Sequence, residues 1–147
     1  MKENKYQLLT EQIRNLIEGE TDMVAIMANV CAAIHEMMGF WWTGFYRVIG
    51  DELVLGPFQG PVACTRIQRG KGVCGSAWAQ QQTLIVPNVD EFPGHIACSS
   101  MSKSEIVLPL MKDGECVGVL DIDSNELDSF DEIDAKYLRQ ILESVRL

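Results

Sequence analysis

The order of periodic segments predicts an α+β fold, a sheet covered by helices. Two segments with helical spacing come first. A run of short β-patterned segments with one small helix among them follows, and a third long helical segment ends the chain. The helical crossovers between strand segments are too few and too short for a parallel, doubly wound sheet.

Each element has its own signal. Leu9, Ile13, Leu16 and Ile17 follow the i, i+4, i+7, i+8 spacing of one helix face, and Gly19 ends the run. Thr21 and Asp22 supply an N-cap for a second helix. Its apolar stripe is Met23, Met27, Val30, Cys31, Ile34, Met37 and Met38, with Gly39 as C-cap. The methionines of this stripe read as core. Residues 41–49 are aromatic and β-branched, and Gly50 and Asp51 turn them into a second strand over 53–57. Alternation sets Trp42, Gly44 and Tyr46 on one face, and Trp41, Thr43 and Phe45 on the other. Residues 64–67 read as a short strand, 75–82 as a short helix, and 83–86 as a strand stopped by Pro87. Residues 88–104 carry Pro, Gly and four serines with little periodicity. Long ordered loops of this kind are usually functional. Strands over 105–110 and 115–123 flank the turn Lys112-Asp113-Gly114. Ser129 to Glu132 has the S-x-x-E spacing of a capping box, and Ile133, Tyr137, Leu138, Ile141, Leu142 and Val145 form the buried face of the last helix.

A chain of 147 residues is one domain of ordinary size, here taken as 1–147, and 47% apolar content suits a folded globule. A net charge of −9 excludes a fold-wide basic patch, so neither duplex nucleic acid nor an anionic membrane is expected as a partner. No stretch approaches the roughly 20 apolar residues of a membrane span. The N-terminus lacks the apolar core of a secretory signal, and the expected compartment is the cytoplasm. In that reducing setting permanent disulfides are rare, so the five cysteines need another explanation.

Gly70-Lys71-Gly72-Val73-Cys74-Gly75 spells G-x-G-x-x-G. A dinucleotide fingerprint needs a preceding strand, a full helix after it and an acid about 20 positions on. Here the helix is cut short, so the motif reads as a glycine-rich turn. It would set Cys74 near a helix N-terminus, where the dipole favours a thiolate. His95 and Cys98 make a single H-x-x-C pair with no second pair at zinc spacing, so no metal and no other cofactor is expected. Cys31 fits a helix core, and Cys116 fits the apolar face of a strand with Leu120 and Ile122. Cys64, Cys74 and Cys98 instead lie on polar or glycine-rich segments. Three thiols there suit a cycle in which a sulfenic acid is resolved as a disulfide. Alternation also puts Asp121 and Asp123 opposite Leu120 and Ile122, and Glu105 away from Ile106, Leu108 and Leu110. Three acids can then converge on one face, where like charges raise at least one pKa.

Long ordered motifs complete the reading. The 56–67 run GPFQGPVACTRI, the 70–78 run GKGVCGSAW, the 92–100 run FPGHIACSS, SEIV at 104–107 and GVLDIDS at 118–124 resemble the free methionine-(R)-sulfoxide reductases over nearly the whole chain. The resemblance implies a GAF fold with about six antiparallel strands and helices packed on one face. It implies reduction of free methionine (R)-sulfoxide, with Cys98 as nucleophile, Cys64 as its disulfide partner and Cys74 as a further resolving thiol. Which thiol attacks first stays open between Cys98 and Cys74. The resemblance further implies substrate binding by Glu105, Asp121 and Asp123, an aromatic wall of Trp42 and Tyr46 around the substrate methyl, and recycling by a thioredoxin-type dithiol. The apolar terminal helices could pair two copies as a homodimer. GAF domains also serve as small-molecule sensors, and a thiol redox switch acting on a protein partner is a third reading. No output module is expected in cis, and a sensor has no need of three thiols beside an acid cluster.

Overall fold

Helix α1 spans Lys2–Ile17 and buries Tyr6, Leu9, Thr10 and Ile13, while Leu16 is 45% exposed. Thr10 joins the stripe because its hydroxyl donates to the Tyr6 carbonyl at 2.8 Å. Helix α2, Met23–Met38, starts where the Asp22 carboxylate accepts from the Ala25 N–H at 2.9 Å. It stops at Gly39, whose φ of +70° and N–H bond to His35 O form a left-handed cap. Strands β1 (Trp42–Ile49), β2 (Glu52–Gln59) and β3 (Arg66–Gln68) follow, then helix α3 (Gly72–Gln80) and strand β4 (Leu84–Val86). Strands β5 (Ser104–Lys112) and β6 (Glu115–Ser124) form the expected hairpin, and helix α4 covers Glu132–Ser144. These elements come from a computed structural model that describes residues 1–94 and 101–145.

Two local expectations shift. Helix α3 begins three residues before the sequence pattern suggests, because glycines 72 and 75 mask its start. A Cβ on Gly75 would stand 2.4 Å from Gln68 O, so glycine is what lets α3 lie against β3. The capping box of α4 is formed by Asp131 and Asp134, not Ser129 and Glu132. The Ser129 hydroxyl is instead committed to Ser124 Oγ at 2.7 Å, at the end of β6.

The sheet has six strands in the order β3-β2-β1-β6-β5-β4, all pairs antiparallel. Helices α1, α2 and α4 cover one face, over Phe45, Ile106, Leu108, Leu120 and Ile122. Helix α3 packs on the opposite face, with Tyr46, Val107 and Val119. Cys116 belongs to this second face, contrary to strict alternation. Leu110 pairs with Gly118 but Met111 pairs with Cys116, so Val117 is an extra residue that reverses the facing of everything before it. The N-terminal helix is fixed to α4 through Asp134, which is fully buried. Asp134 accepts from Tyr6 Oη, from Lys2 Nζ at 2.7 Å and from the Asp131 N–H at 2.9 Å.

Candidate active site

Strand register builds the site. On the face opposite the three long helices, Asp123 of β6 has Trp42 of β1 as its partner on one side and Glu105 of β5 on the other. In the next row on this face, Asp121 stands between Gly44 and Val107. Antiparallel partners lie about 5 Å apart on one face, so the register alone brings the acids together. Glu105 and Asp121 are each 6% exposed. Together with Asp123 they line a cavity whose other walls are Trp41, Trp42, Tyr46, the 62–63 segment, the start of α3 and Ser102.

The aromatic wall depends on a glycine. The Trp42 indole lies over Gly44 and stacks on Phe58, with ring centroids 5.3 Å apart, and reaches Tyr46 at 6.2 Å. A Cβ on Gly44 would sit 2.3 Å from Trp42 Cη2. Both aromatic residues also hold the segment that closes the cavity. Trp42 Nε1 donates to Pro61 O at 2.9 Å, and Tyr46 Oη donates to Cys64 O at 2.8 Å.

The carboxyls share a poorly hydrated space. Burial and the charges of Asp121 and Asp123 hold Glu105 well above the usual carboxyl range. Burial and the Asp121 charge also raise Asp123, against hydrogen bonds from Ser102 and Glu105 that favour its ionised form. Ser102 Oγ donates to Asp123 Oδ1 at 3.1 Å. A neutral carboxyl in such a place can donate a proton, while an ionised one can hold an ammonium. Lys71 carries the single positive side chain among the described lining residues.

The cysteines divide. Cys64 is disulfide-bonded and half-buried, next in the chain to Ala63 of the cavity wall. Cys31, Cys74 and Cys116 are free and buried. Cys74 is the third residue of α3, with Sγ 3.9 Å from Glu105 Oε2. The expected thiolate does not follow from that position: burial, then the charges of Asp121 and Glu105, push its thiol well up and outweigh the favourable helix dipole. Cys74 Sγ and one oxygen from each of Glu105 and Asp121 lie within 4.8 Å of one another, a spacing that could admit a cation. Cys98 lies outside the described residues.

Sequence patterns missed Trp41, Lys71 and Ser102 as neighbours of this cavity. Trp41 precedes the first residue of β1, so strand alternation does not govern where it packs. Lys71 and Ser102 sit on segments without period, and only the way those segments fold over the sheet brings them in.

Comparison with known proteins agrees with this architecture. Residues 20–147 match the family model described as GAF domain. GAF domain-containing protein A of Dictyostelium discoideum is 63% identical over 96% of this chain and 90% of its own. The protein named free methionine-R-sulfoxide reductase in Escherichia coli is 46% identical over 93% of this chain and 84% of its own. The X-ray structure of free methionine-R-sulfoxide reductase from Neisseria meningitidis in complex with its substrate superposes with a TM-score of 0.96 at 53% identity, covering 98% of this chain and 87% of that one.

Proposed function

Because the chain belongs to the free methionine-(R)-sulfoxide reductase family of GAF domains, we propose that it reduces free methionine (R)-sulfoxide to methionine with its own thiols. The observation that carries this reading is the row Trp42, Asp123, Glu105 across three strands, facing a cavity whose wall includes Ala63, the chain neighbour of the disulfide-bonded Cys64. It offers an apolar wall, an anion and a carboxyl that favours its proton, all within one amino acid's reach.

In the proposed cycle the Cys98 thiolate attacks the sulfoxide sulfur. Oxygen is a poor leaving group, so a carboxyl must protonate it as the S–O bond weakens, and Glu105 is best suited to hold that proton. The protonated oxygen passes to the Cys98 sulfur as the bond between the two sulfurs breaks, so methionine departs as the thioether, reduced by two electrons, and Cys98 is left a sulfenic acid, oxidised by two. The Cys64 thiol then condenses with it, giving a disulfide and water. That Cys64 is disulfide-bonded while Cys31, Cys74 and Cys116 are free supports Cys64 as resolver and Cys98 as its partner. Cys74, held protonated against Glu105, serves as a reserve thiol. A thioredoxin-type dithiol returns the pair to thiols by exchange.

Selectivity for the free amino acid follows from its charged ends. An ionised carboxylate of the cluster accepts from the ammonium, and loop N–H groups with Lys71 answer the substrate carboxylate. A peptide-linked sulfoxide lacks both charges and leaves these groups unpaired. The R preference arises when Trp42 and Tyr46 take the methyl and the acids take the oxygen. The setting would be cytoplasmic repair after oxidative stress, and two copies could pair as a homodimer through exposed Leu8 and Leu16 of α1. The test supplies R- and S-sulfoxide, free and N-acetylated, with a thioredoxin system. Methionine should form from the free R-sulfoxide alone; equal use of the N-acetyl compound would overturn the selectivity argument.

A further inference from the structure

We infer that Ser102 is a positioning residue: its hydroxyl fixes Asp123 as a hydrogen-bond acceptor and thereby leaves the transferable proton on Glu105. This rests on the reductase reading above. The geometry is direct. Ser102 Oγ donates to Asp123 Oδ1 at 3.1 Å, and Asp123 is the antiparallel partner of Glu105. A serine has one O–H, and spending it on Asp123 makes that oxygen an acceptor. Among the described residues, the neutral side-chain donor beside Glu105 is the Cys74 thiol, at 3.9 Å.

Among the described residues, the other titratable side chains that line the cavity with Glu105 and Asp123 are Asp121 on β6, Cys74 and Lys71 at the start of α3, and Tyr46 on β1. Tyr46 Oη is committed to Cys64 O. Asp121 raises both Glu105 and Asp123, so it does not separate them. The hydrogen bonds from Ser102 and Glu105 pull Asp123 back down, while Asp121 and Asp123 both push Glu105 up. Glu105 is one member of the pair, so Ser102 is the neutral group among the described residues that biases the pair toward an ionised Asp123 and a protonated Glu105.

The experiment compares Ser102→Ala and Ser102→Thr by two readouts. The first is an infrared titration of the protonated-carboxyl band in the reduced protein without substrate, with bands assigned by Glu105→Gln and Asp123→Asn. In Ser102→Ala the Asp123 midpoint should rise by roughly one pH unit, the worth of one hydrogen bond to a charge. The second is the pH profile of kcat/KM, whose acid limb should move up by the same amount, about tenfold on that limb. Ser102→Thr, which keeps the hydroxyl, should restore both. An unmoved Asp123 midpoint, or a loss of activity equal at all pH values, would overturn the inference. An unsubstituted protein that releases no methionine would overturn the reductase reading instead, and the substrate-free titration would still test Ser102.

Discussion

Glu105 and Asp123 are direct antiparallel partners on β5 and β6, so two carboxyls share one face of the sheet with a third, Asp121, in the neighbouring row. Such an arrangement is costly unless protons are kept among them.

Replacing Glu105 by Gln keeps its shape and removes the proton it can give. Turnover of free R-sulfoxide should fall by about 10² to 10⁴, the range for a lost general acid. Steady-state kcat checks this, with circular dichroism confirming the fold.

The same pair sets a pH dependence. Glu105 and Asp123 are raised in the folded chain above the ordinary values of 4.5 and 3.8. The folded state thus binds more protons than the unfolded chain above those values. Stability from this pair is fully present below them and is lost as pH rises toward the folded pKa values. Glu105→Gln should become progressively more stable than the parent as pH increases. Urea denaturation at a series of pH values measures the difference.

Gly44→Ala should disturb the aromatic wall. The added Cβ would meet Trp42 Cη2 at 2.3 Å and Phe58 Cβ at 2.6 Å. Overpacking of this kind costs about 1–3 kcal/mol, and displacement of the indole should raise KM more than it lowers kcat. Denaturation and steady-state kinetics test the two parts.

Much of this site was legible in residue order, through one device. Period-2 alternation places Trp42 with Tyr46 and Asp121 with Asp123, because those strand stretches hold regular register. The device fails where register breaks or strands end. The bulge at Val117 moves Cys116 to the other face, and Trp41 lies outside β1 altogether. Ser102 and Lys71 belong to aperiodic segments, so their meeting with the acids is a tertiary fact with no local signature. The cap of α4 shifted for a similar reason, since Ser129 found a partner on β6.

Tyr46→Phe removes the hydroxyl that holds Cys64 O and leaves the ring in place. Stability should drop by about 1 kcal/mol. In a single turnover, methionine release should keep its rate while disulfide closure slows. A sulfenic-acid trap should then capture more adduct than in the parent.

Tyr6→Phe is the control from the other face. It takes one donor from the fully buried Asp134, and stability should fall by about 1.5–3 kcal/mol. The cavity-lining acids are across the sheet from it, so kcat/KM at a temperature where the variant is folded should match the parent.

The most direct test reacts the reduced protein with one equivalent of free methionine (R)-sulfoxide, without external reductant, and counts products. The account predicts one methionine formed for every two thiols lost, with peptide mapping joining Cys64 to Cys98. Methionine formed with all five thiols intact, or thiols lost without methionine, would contradict it.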